Sequence, residues 1–373
     1  MRLKIRKADL NLATTRTQGA ISDRTLAQIG MKAENDLLHV SVADRILVVY
    51  SVLEADIEEP GSIFVPARLF IDVVRELPEG EVSLYDSDSF LVITAGAQNE
   101  FVMKLPKIED KEWREPPEIN SKNLAELPSE RLQYMIDQVQ FCVAQESPRN
   151  YGSVGFFHRP EPNKLRLVGT DGFRLSYSEI ELSIPDSFLE NGVCLSKRAL
   201  SELQRMCAEG FETVKVSISD DQKILTALAP GYQIYVRLSS VKYPNYLGVL
   251  PGFDLTPVKV SRPYLQSVTK RVLLAADKTR AIRLCFSDSS LTLRSRTIGS
   301  SEGKENIDLE EYQGGQRELA VNGKFLTDVF STIGSDEIVL NFRTEDDPIV
   351  VIPKKEPESC HSMHVLVPIR ESN

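Results

Sequence analysis

One supersecondary pattern occurs three times along the chain, and this repetition limits the fold more than any other feature. The three segments are FVPARLFIDVVRELPEGEVSLYDSDSFLVITAG (from Phe64), CLSKRALSELQRMCAEGFETVKVSISDDQKILTALA (from Cys194) and AVNGKFLTDVFSTIGSDEIVLNFRTEDDPIVVI (from Ala320). Each runs from a short extended piece through a helical stretch into two alternating strands around an acidic turn. Apolar residues recur at helical spacing: Phe70, Val73, Val74 and Leu77; Leu200, Leu203 and Cys207; Leu326, Val329, Phe330 and Ile333. That spacing predicts one buried stripe per helix. EVSLY, TVKVSI and EIVLNF then switch to a period of two, the pattern of a strand with one face on a core.

A second pattern precedes each unit. Helical segments (ADLNLATTRTQ, SERLQYMIDQVQFCVAQ, SRPYLQSVTKRVLLAADK) are followed by alternating hairpins such as NKLRLVGTDGFRLSYSEIELSI. Two helices and several antiparallel strands per unit, in three units, predict an α+β protein. A chain of 373 residues exceeds one ordinary core, in keeping with several domains. Proline-rich stretches at Trp113–Glu130 and Lys242–Pro257 read as linkers, which places the domains at 1–120, 121–250 and 251–373.

The formal net charge of −10 argues against a protein that coats nucleic acid through bulk positive potential, while a local basic surface stays open. No apolar run approaches the roughly 20 residues that span a bilayer. The start, MRLKIRKADLNL, alternates instead of presenting a signal-peptide core, so a cytoplasmic protein is expected. Five scattered cysteines without CxxC spacing read as reduced, mostly buried thiols.

Catalytic machinery is hard to find. Asp86 with Asp88, Asp220 with Asp221, and Asp346 with Asp347 offer oxygen ligands, but each pair falls where a hairpin tip needs polar turn residues. Cys360, His361 and His364 stand in a polar loop without a second ligand pair at zinc spacing, and His39 and His158 are isolated. There is no GxxxxGK[ST] phosphate loop. A metal-dependent phosphoester hydrolase using Asp171 and an acidic pair is the competing reading, set against the absence of the second aspartate that aspartyl-phosphate motifs need. No cofactor is expected.

The basic residues say more. Arg68 and Arg75 lie seven apart on one helix face; they align with Arg198 and Arg205 in the second unit, and Lys324 takes the first position in the third. Recurrence in register suggests a shared surface that meets a polyanion. The segment VGTDGFRL (Val168–Leu175) raises a different question. Asp171-Gly172 is a strong turn signal, yet a threonine and an arginine flank the turn in a segment otherwise built to be buried.

VGTDGFRL, YPNYLGVLP and the C-terminal VLVPIR, set in a threefold repeat, resemble the bacterial sliding-clamp family, the β subunits of DNA polymerase III. The resemblance spans essentially the whole chain. It implies three domains of the DNA-clamp fold, each with two helices packed on antiparallel sheets. Two chains would close head to tail into a ring that encircles duplex DNA and tethers the replicative polymerase, the clamp loader and other replication and repair proteins. It implies DNA-facing residues Arg24, Arg68, Arg75, Arg149, Tyr151, Lys197, Arg198, Arg205 and Lys324, with Arg24 displaced by one from the family position. Sequence-independent phosphate contacts of this kind carry no base information and allow sliding.

The resemblance also implies a pocket for a partner peptide with a glutamine and apolar anchors. Its residues would be Thr170, Gly172, Phe173, Arg174, Leu175, Pro244, Val249, Pro348, Val365, Leu366, Val367, Pro368, Ile369 and Arg370, with Arg174 setting a polar rim. Phe101, Met103, Leu273 and Leu274 would form the dimer interface, the leucines being equally readable as core. The chain departs from the family at Phe173 (commonly histidine), Gly248 (often arginine), Gly152 (usually a larger aliphatic residue) and the tail beyond Arg370, so the groove should have an altered shape. A third reading keeps the fold as a protein-docking hub that no longer serves replication.

Overall fold

A computed structural model of the chain describes residues 1–21, 27–96, 100–109, 111–117, 119, 123–144, 151–250, 252, 256–309, 312 and 314–369. Numbered in chain order, the helices are α1 (Lys7–Thr17), α2 (Ala67–Glu76), α3 (Ser129–Asp137), α4 (Lys197–Cys207), α5 (Arg262–Leu273) and α6 (Gly323–Thr332). Two fall in each repeat. The apolar stripes bury as their spacing predicts: Phe70, Val73 and Val74 on α2, Leu200, Leu203 and Cys207 on α4, Leu326, Val329 and Phe330 on α6.

The described residues form two compact units. The first (Met1–Glu130, Pro185–Phe188, Ser201–Ser239) holds two antiparallel sheets. One has the order β5 (Asp56–Glu59), β1 (Arg2–Arg6), β7 (Glu81–Asp86), β8 (Phe90–Ala95), β9 (Phe101–Pro106). The other has eight strands: β10 (Leu124–Pro128), β15 (Thr213–Ile218), β16 (Ile224–Ala229), β17 (Tyr232–Arg237), β4 (Leu47–Glu54), β3 (Leu37–Ala43), β2 (Gln28–Glu34), β6 (Gly61–Pro66). At β17–β4 a strand of the second repeat pairs with one of the first, Ile234 opposite Val49.

The second unit (Arg131–Ile184, Leu189–Leu200, Ser240–Asn373) is built likewise. Its eight-stranded sheet runs β14 (Val193–Ser196), β11 (Val154–His158), β12 (Lys164–Thr170), β13 (Arg174–Glu181), β25 (Cys360–Leu366), β24 (Ile349–Pro353), β23 (Glu337–Phe342), β18 (Thr256–Ser261). A four-stranded sheet runs β21 (Ser301–Asp308), β20 (Ser290–Thr297), β19 (Ala281–Ser287), β22 (Arg317–Asn322). The cross-repeat seam here is β13–β25, where Leu175 stands opposite Val365 and Ser176 opposite His364.

Several local expectations need correction. The stretch read as a linker at 113–130 contains β10, whose Ala125 and Leu127 are buried by period-two alternation too short to register against the surrounding prolines. The helix expected through Gln145 ends at Asp137, and a 3-10 turn follows at Gln140–Cys142. Cys360, His361 and His364 lie on β25 and not in a loop; alternation buries Cys360 and His364 and exposes His361, so they do not converge. The acidic pairs do sit at hairpin ends with their carboxylates engaged: Asp86 accepts from Lys107 at 2.6 Å, Asp221 from Ser219 at 2.7 Å.

Helix α1 lacks a strong apolar stripe, and a polar tie supplements its packing. Arg16 is buried; its Nε donates to Glu209 Oε2 at 2.9 Å and its Nη1 to the Gly231 carbonyl at 2.9 Å, while its guanidinium lies 4.9 Å from the Tyr232 ring centroid. Removing one partner of a buried pair strands the other charge. Arg16→Ala is therefore expected to cost about 3 kcal/mol, read from the urea midpoint of the intact chain; a change below about 1 kcal/mol would mean that the tie is dispensable.

Candidate functional site

The VGTDGFRL segment forms the turn between β12 and β13. Gly172 has φ 89°, a conformation that disfavours side-chain-bearing residues. Asp171 Oδ1 accepts from the Phe173 and Arg174 backbone N–H groups at 3.0 and 3.1 Å, which fixes the turn. Thr170 Oγ1 donates to the Arg174 carbonyl at 2.7 Å and accepts from Gly172 N–H at 3.1 Å. Threonine and aspartate are thus the internal fastenings of the turn.

Arg174 fastens the turn to its surroundings. Nε donates to Asp171 Oδ2 at 2.9 Å, Nη1 to Asp328 Oδ2 at 2.8 Å, and Nη2 to the Phe141 carbonyl at 3.0 Å. Its guanidinium is sandwiched near the rings of Phe325 and Phe141, 4.3 and 5.1 Å from their centroids. The expected polar-rim role is corrected: Arg174 is a nearly buried tie between the turn, α6 and the 3-10 turn at Gln140–Cys142. Asp171, with its oxygens committed to turn and guanidinium, is a structural acceptor and not a nucleophile.

Beside this turn lies a cavity of about 540 Å³. Thr170, Gly172, Arg174 and Leu175 line one side, Val365 and Val367 the floor strand, Pro348 the β23–β24 hairpin, and Pro244 and Val249 the joint between repeats. Phe173 is exposed and outside the lining; its carbonyl accepts from Val367 N–H at 3.0 Å and so extends the seam. Leu366 points instead into the third repeat's core, as strand alternation requires between Val365 and Val367. Pro368 and Ile369 are half-buried beyond the lining, and Arg370 lies outside the described residues.

Six further lining residues escaped the sequence reading as pocket residues: Asn245, Tyr246, Leu250, Gly252, Arg343 and Asp347. Tyr151, expected against DNA, also lines the cavity. Tyr246 had a signal, an aromatic residue inside YPNYLGVLP, and its burial shows that this joint is no passive linker. Its ring joins a small core with Val168, Leu175, Val350 and Val365. Its hydroxyl meets Arg166 Nη1 at 2.9 Å and His158 Nε2 at 3.0 Å, and Arg166 in turn pairs with Glu179. Tyr243 anchors the other end, donating to the Val168 carbonyl at 3.3 Å and stacking on Phe156.

The remaining expected residues are distributed over helix faces and edges. Arg68 and Arg75 share the exposed face of α2, with Asp72 between them at 3.1 and 3.7 Å; a shallow recess beside them includes Gln18 and Ile21. Arg205 pairs with Glu202 at 3.2 Å and Lys324 with Asp328 at 2.6 Å. Lys197 donates to the Val143 carbonyl at 2.8 Å, and Arg198 is half-exposed on α4. Arg24 and Arg149 lie outside the described residues. Phe101 and Met103 occupy β9, an edge strand of its sheet. Leu273 packs on the core, while Leu274 is 87% exposed just past the end of α5.

Burial pushes the Cys142 thiol up to about 12 and the Cys194 thiol up to about 11, so neither is a nucleophile near neutral pH. Among the described residues, no helix is long and apolar enough to cross a membrane, and no group of three or more acidic, cysteine or histidine side chains is placed to hold a metal ion.

Three repeats of paired helices on antiparallel sheets, joined through cross-repeat strands, define the architecture of a sliding clamp. Models of the DNA polymerase III beta subunit match in order: its N-terminal domain at residues 1–113, its central domain at 126–245 and its C-terminal domain at 248–370. The chain belongs to this family, the bacterial β sliding clamps. It is 26% identical to the beta sliding clamp of Caulobacter vibrioides over 99% of this chain and 100% of that one, and 24% identical to that of Escherichia coli K12 over 94% and 90%. A crystal structure of the Pseudomonas aeruginosa sliding clamp bound to griselimycin superposes with a TM-score of 0.90 at 24% identity, each chain fully covered. A Caulobacter crescentus beta sliding clamp, described with polyethylene glycol bound to a putative beta-motif tethering region, gives 0.87 at 25% identity, with 100% and 99% covered.

Burial, then Arg166, hold the His158 imidazole down to about 4, and burial holds His364 down to about 3, both from an ordinary 6.5. In the unfolded chain both protonate near pH 6.5, so their contribution is intact above that pH and is lost as pH falls towards 4. His158→Asn should reduce the slope of stability against pH in that window by about 1.4 kcal/mol per pH unit. Urea titrations at pH 7, 6 and 5 measure it; an unchanged slope would show that His158 is not the group responsible.

Proposed function

We propose that the cavity beside the Thr170–Arg174 turn is where this clamp receives short peptides from its replication partners. The chain is a DNA sliding clamp, a non-enzymatic processivity factor. The observation that carries the pocket reading is the cavity itself: aliphatic walls from Leu175, Val249, Val365 and Val367, a glycine that lets backbone come close, and a turn held rigid by Arg174.

Around that site the reading continues as the family resemblance implies. Duplex DNA passes through a ring made by two chains head to tail, and the replicative polymerase, clamp loader and repair proteins share the pocket. Arg68, Arg75, Arg198, Arg205 and Lys324 supply the phosphate-facing surface, with Arg24, Arg149, Tyr151 and Lys197 as further members. The acids beside Arg68, Arg75, Arg205 and Lys324 support sliding, since they moderate the attraction and keep phosphate contacts weak. The domains fall at 1–120, 121–250 and 251–373, and the protein works in the cytoplasm. The competing hydrolase has no support, because Asp171 is consumed by the turn.

Binding of a fluorescent peptide of the Gln-Leu-x-Leu-Phe type, followed by polarisation, tests the pocket. Val249→Asp suits this better than Arg174→Ala: the residue is 55% exposed and the fold should survive, whereas loss of Arg174 removes a nearly buried donor shared by Asp171, Asp328 and the Phe141 carbonyl. The variant should bind at least about tenfold more weakly, since one buried aliphatic contact contributes about 1.5 kcal/mol or more. Equal affinity would place the peptide elsewhere.

The dimer is tested with Leu274→Glu, a change at an exposed position that leaves the core alone. Sedimentation should show the wild type as a dimer and the variant shifted towards monomer, with closed circular DNA retained only by the wild type. A wild-type monomer at micromolar concentration would remove the ring.

A further inference from the structure

The four-stranded sheet of the third repeat sets like charges side by side. Across its strands Ala320 stands opposite Arg283, Arg283 opposite Arg294, and Arg294 opposite Lys304, so three cations follow one another along a single row. Alternation places the row on the outer face: Leu293 and Ser295, on either side of Arg294, are buried, while Arg294 and Lys304 are exposed. Arg296, two residues along β20 from Arg294, is exposed on the same face. Like charges directly opposite on paired strands oppose folding, so nothing in the stability of the sheet calls for the row.

Acids on this face compensate only part of it. Glu318 on β22 accepts from Arg283 Nη1 at 2.5 Å and lies within electrostatic range of Arg294. Glu302 stands opposite Arg296 and makes no ion pair with it, and Asp308 lies further along β21, opposite Ser290. Glu305, the residue after Lys304, turns to the other face, where it holds Arg271. Among the described residues, Arg294, Arg296 and Lys304 are thus left without an ion pair. The row also runs up to the chain that leaves the cavity. Beyond Val367, which lines the cavity, Ile369 N–H donates to the Ala320 carbonyl at 2.7 Å, which sets this segment beside β22. Counted from Ile369 in strand spacings, Arg294 is about 14 Å away and Lys304 about 19 Å. An extended segment covers that distance in about five or six residues.

We propose that Arg294, Arg296 and Lys304 extend the partner site, binding an acidic run that lies about five or six residues from the apolar anchors of a peptide seated in the cavity. The proposal rests on the partner-pocket reading and gives the partner's chemistry: apolar anchors, a short extended spacer, then Asp or Glu residues. Each guanidinium on the outer face offers a planar fork of N–H donors that matches a carboxylate. Exposed pairs of this kind each add little, so the face acts through number and tethering: once the anchors are seated, the acidic run meets the three cations at high effective concentration. The continuity of the row with the cavity favours a peptide over a nucleic acid, because a single extended chain can occupy both.

The test uses the full-length protein and labelled peptides with identical apolar anchors, each carrying a short run of Glu, Gln or Lys beyond a Gly-Ser spacer of about six residues, at one end or the other. Polarisation at low salt should show the Glu peptide binding about three- to tenfold more tightly than the Gln peptide, with the Lys peptide weakest. High salt should compress that ranking. Arg294→Gln combined with Lys304→Gln, both at exposed positions, should erase the ranking while leaving the Gln peptide within about twofold of its wild-type affinity. With the spacer removed, the double variant and the wild type should bind the Glu peptide alike. Equal binding of the Glu and Lys peptides to the wild type, or a ranking that persists in the double variant, would overturn the proposal while leaving the pocket reading intact. A double variant that weakens binding of a short duplex oligonucleotide and leaves the peptide ranking unchanged would make this face a nucleic-acid surface, and the proposal would fall. No binding of any peptide to the wild type would overturn both readings.

Discussion

The pairing of β13 with β25 is the constraint on which the site depends. Seven residue pairs, from Arg174 opposite Leu366 to Ile180 opposite Cys360, join strands nearly two hundred positions apart in the chain. Because side chains alternate across a sheet, a slip of one residue would exchange the faces of Val365 and Leu366, filling the cavity with one and emptying the core of the other. The register is tied near the Arg174–Leu366 end. Val367 donates to the Phe173 carbonyl beyond the ladder, and Ser176 meets His364 Nδ1 at 2.9 Å within it. A buried histidine that stays neutral fits that role, since a charged ring there would have no solvent and no acid to compensate it.

Basic residues in this acidic chain fall into two populations with different physics. Arg16, Arg166 and Arg174 are buried or nearly so, satisfied by carboxylates and carbonyls, and stacked near aromatic rings. They fix geometry, because a guanidinium can bind several elements at once in one plane. Arg68, Arg75, Arg205 and Lys324 instead stand on helix faces, each beside an acid a turn or less away on its own helix. Pairs exposed on both sides, as at Arg68 and Arg75, contribute little to stability in water and leave their charges available for long-range attraction, whereas Glu202 beside Arg205 is buried. Sequence periodicity identifies the second population, since helix faces are local. It says nothing of Arg174, because nothing local reveals that Asp328 and the Phe141 carbonyl will meet it.

The candidate site was partly legible for the same reason. Asp171 and Gly172 announce a turn through their own chemistry, and the structure uses both in that way, while the role of Thr170 as a further fastening appears only in the fold. Pro244 and Val249 could be proposed only by resemblance, because the joint looks like a linker until Tyr243 and Tyr246 are seen to pin it. Asp347 was visible only as a hairpin-tip residue, and Arg343 stood out in no way. Their place at the cavity follows from β23 and β24 lying next to β25, a fact of sheet order and not of spacing.

By itself the sequence determined the repeat, the six helices, the strand alternation that buries each core, and the recurrence of basic residues in register. These are properties of a few consecutive residues, governed by side-chain period and turn chemistry. Tertiary structure alone decided that strands of successive repeats share sheets, that Arg174 is a tie and not a rim, and that Tyr246, Arg343 and Asp347 belong to the cavity. Those outcomes depend on contacts between segments far apart in the chain, where geometry, and not local pattern, determines which groups become neighbours.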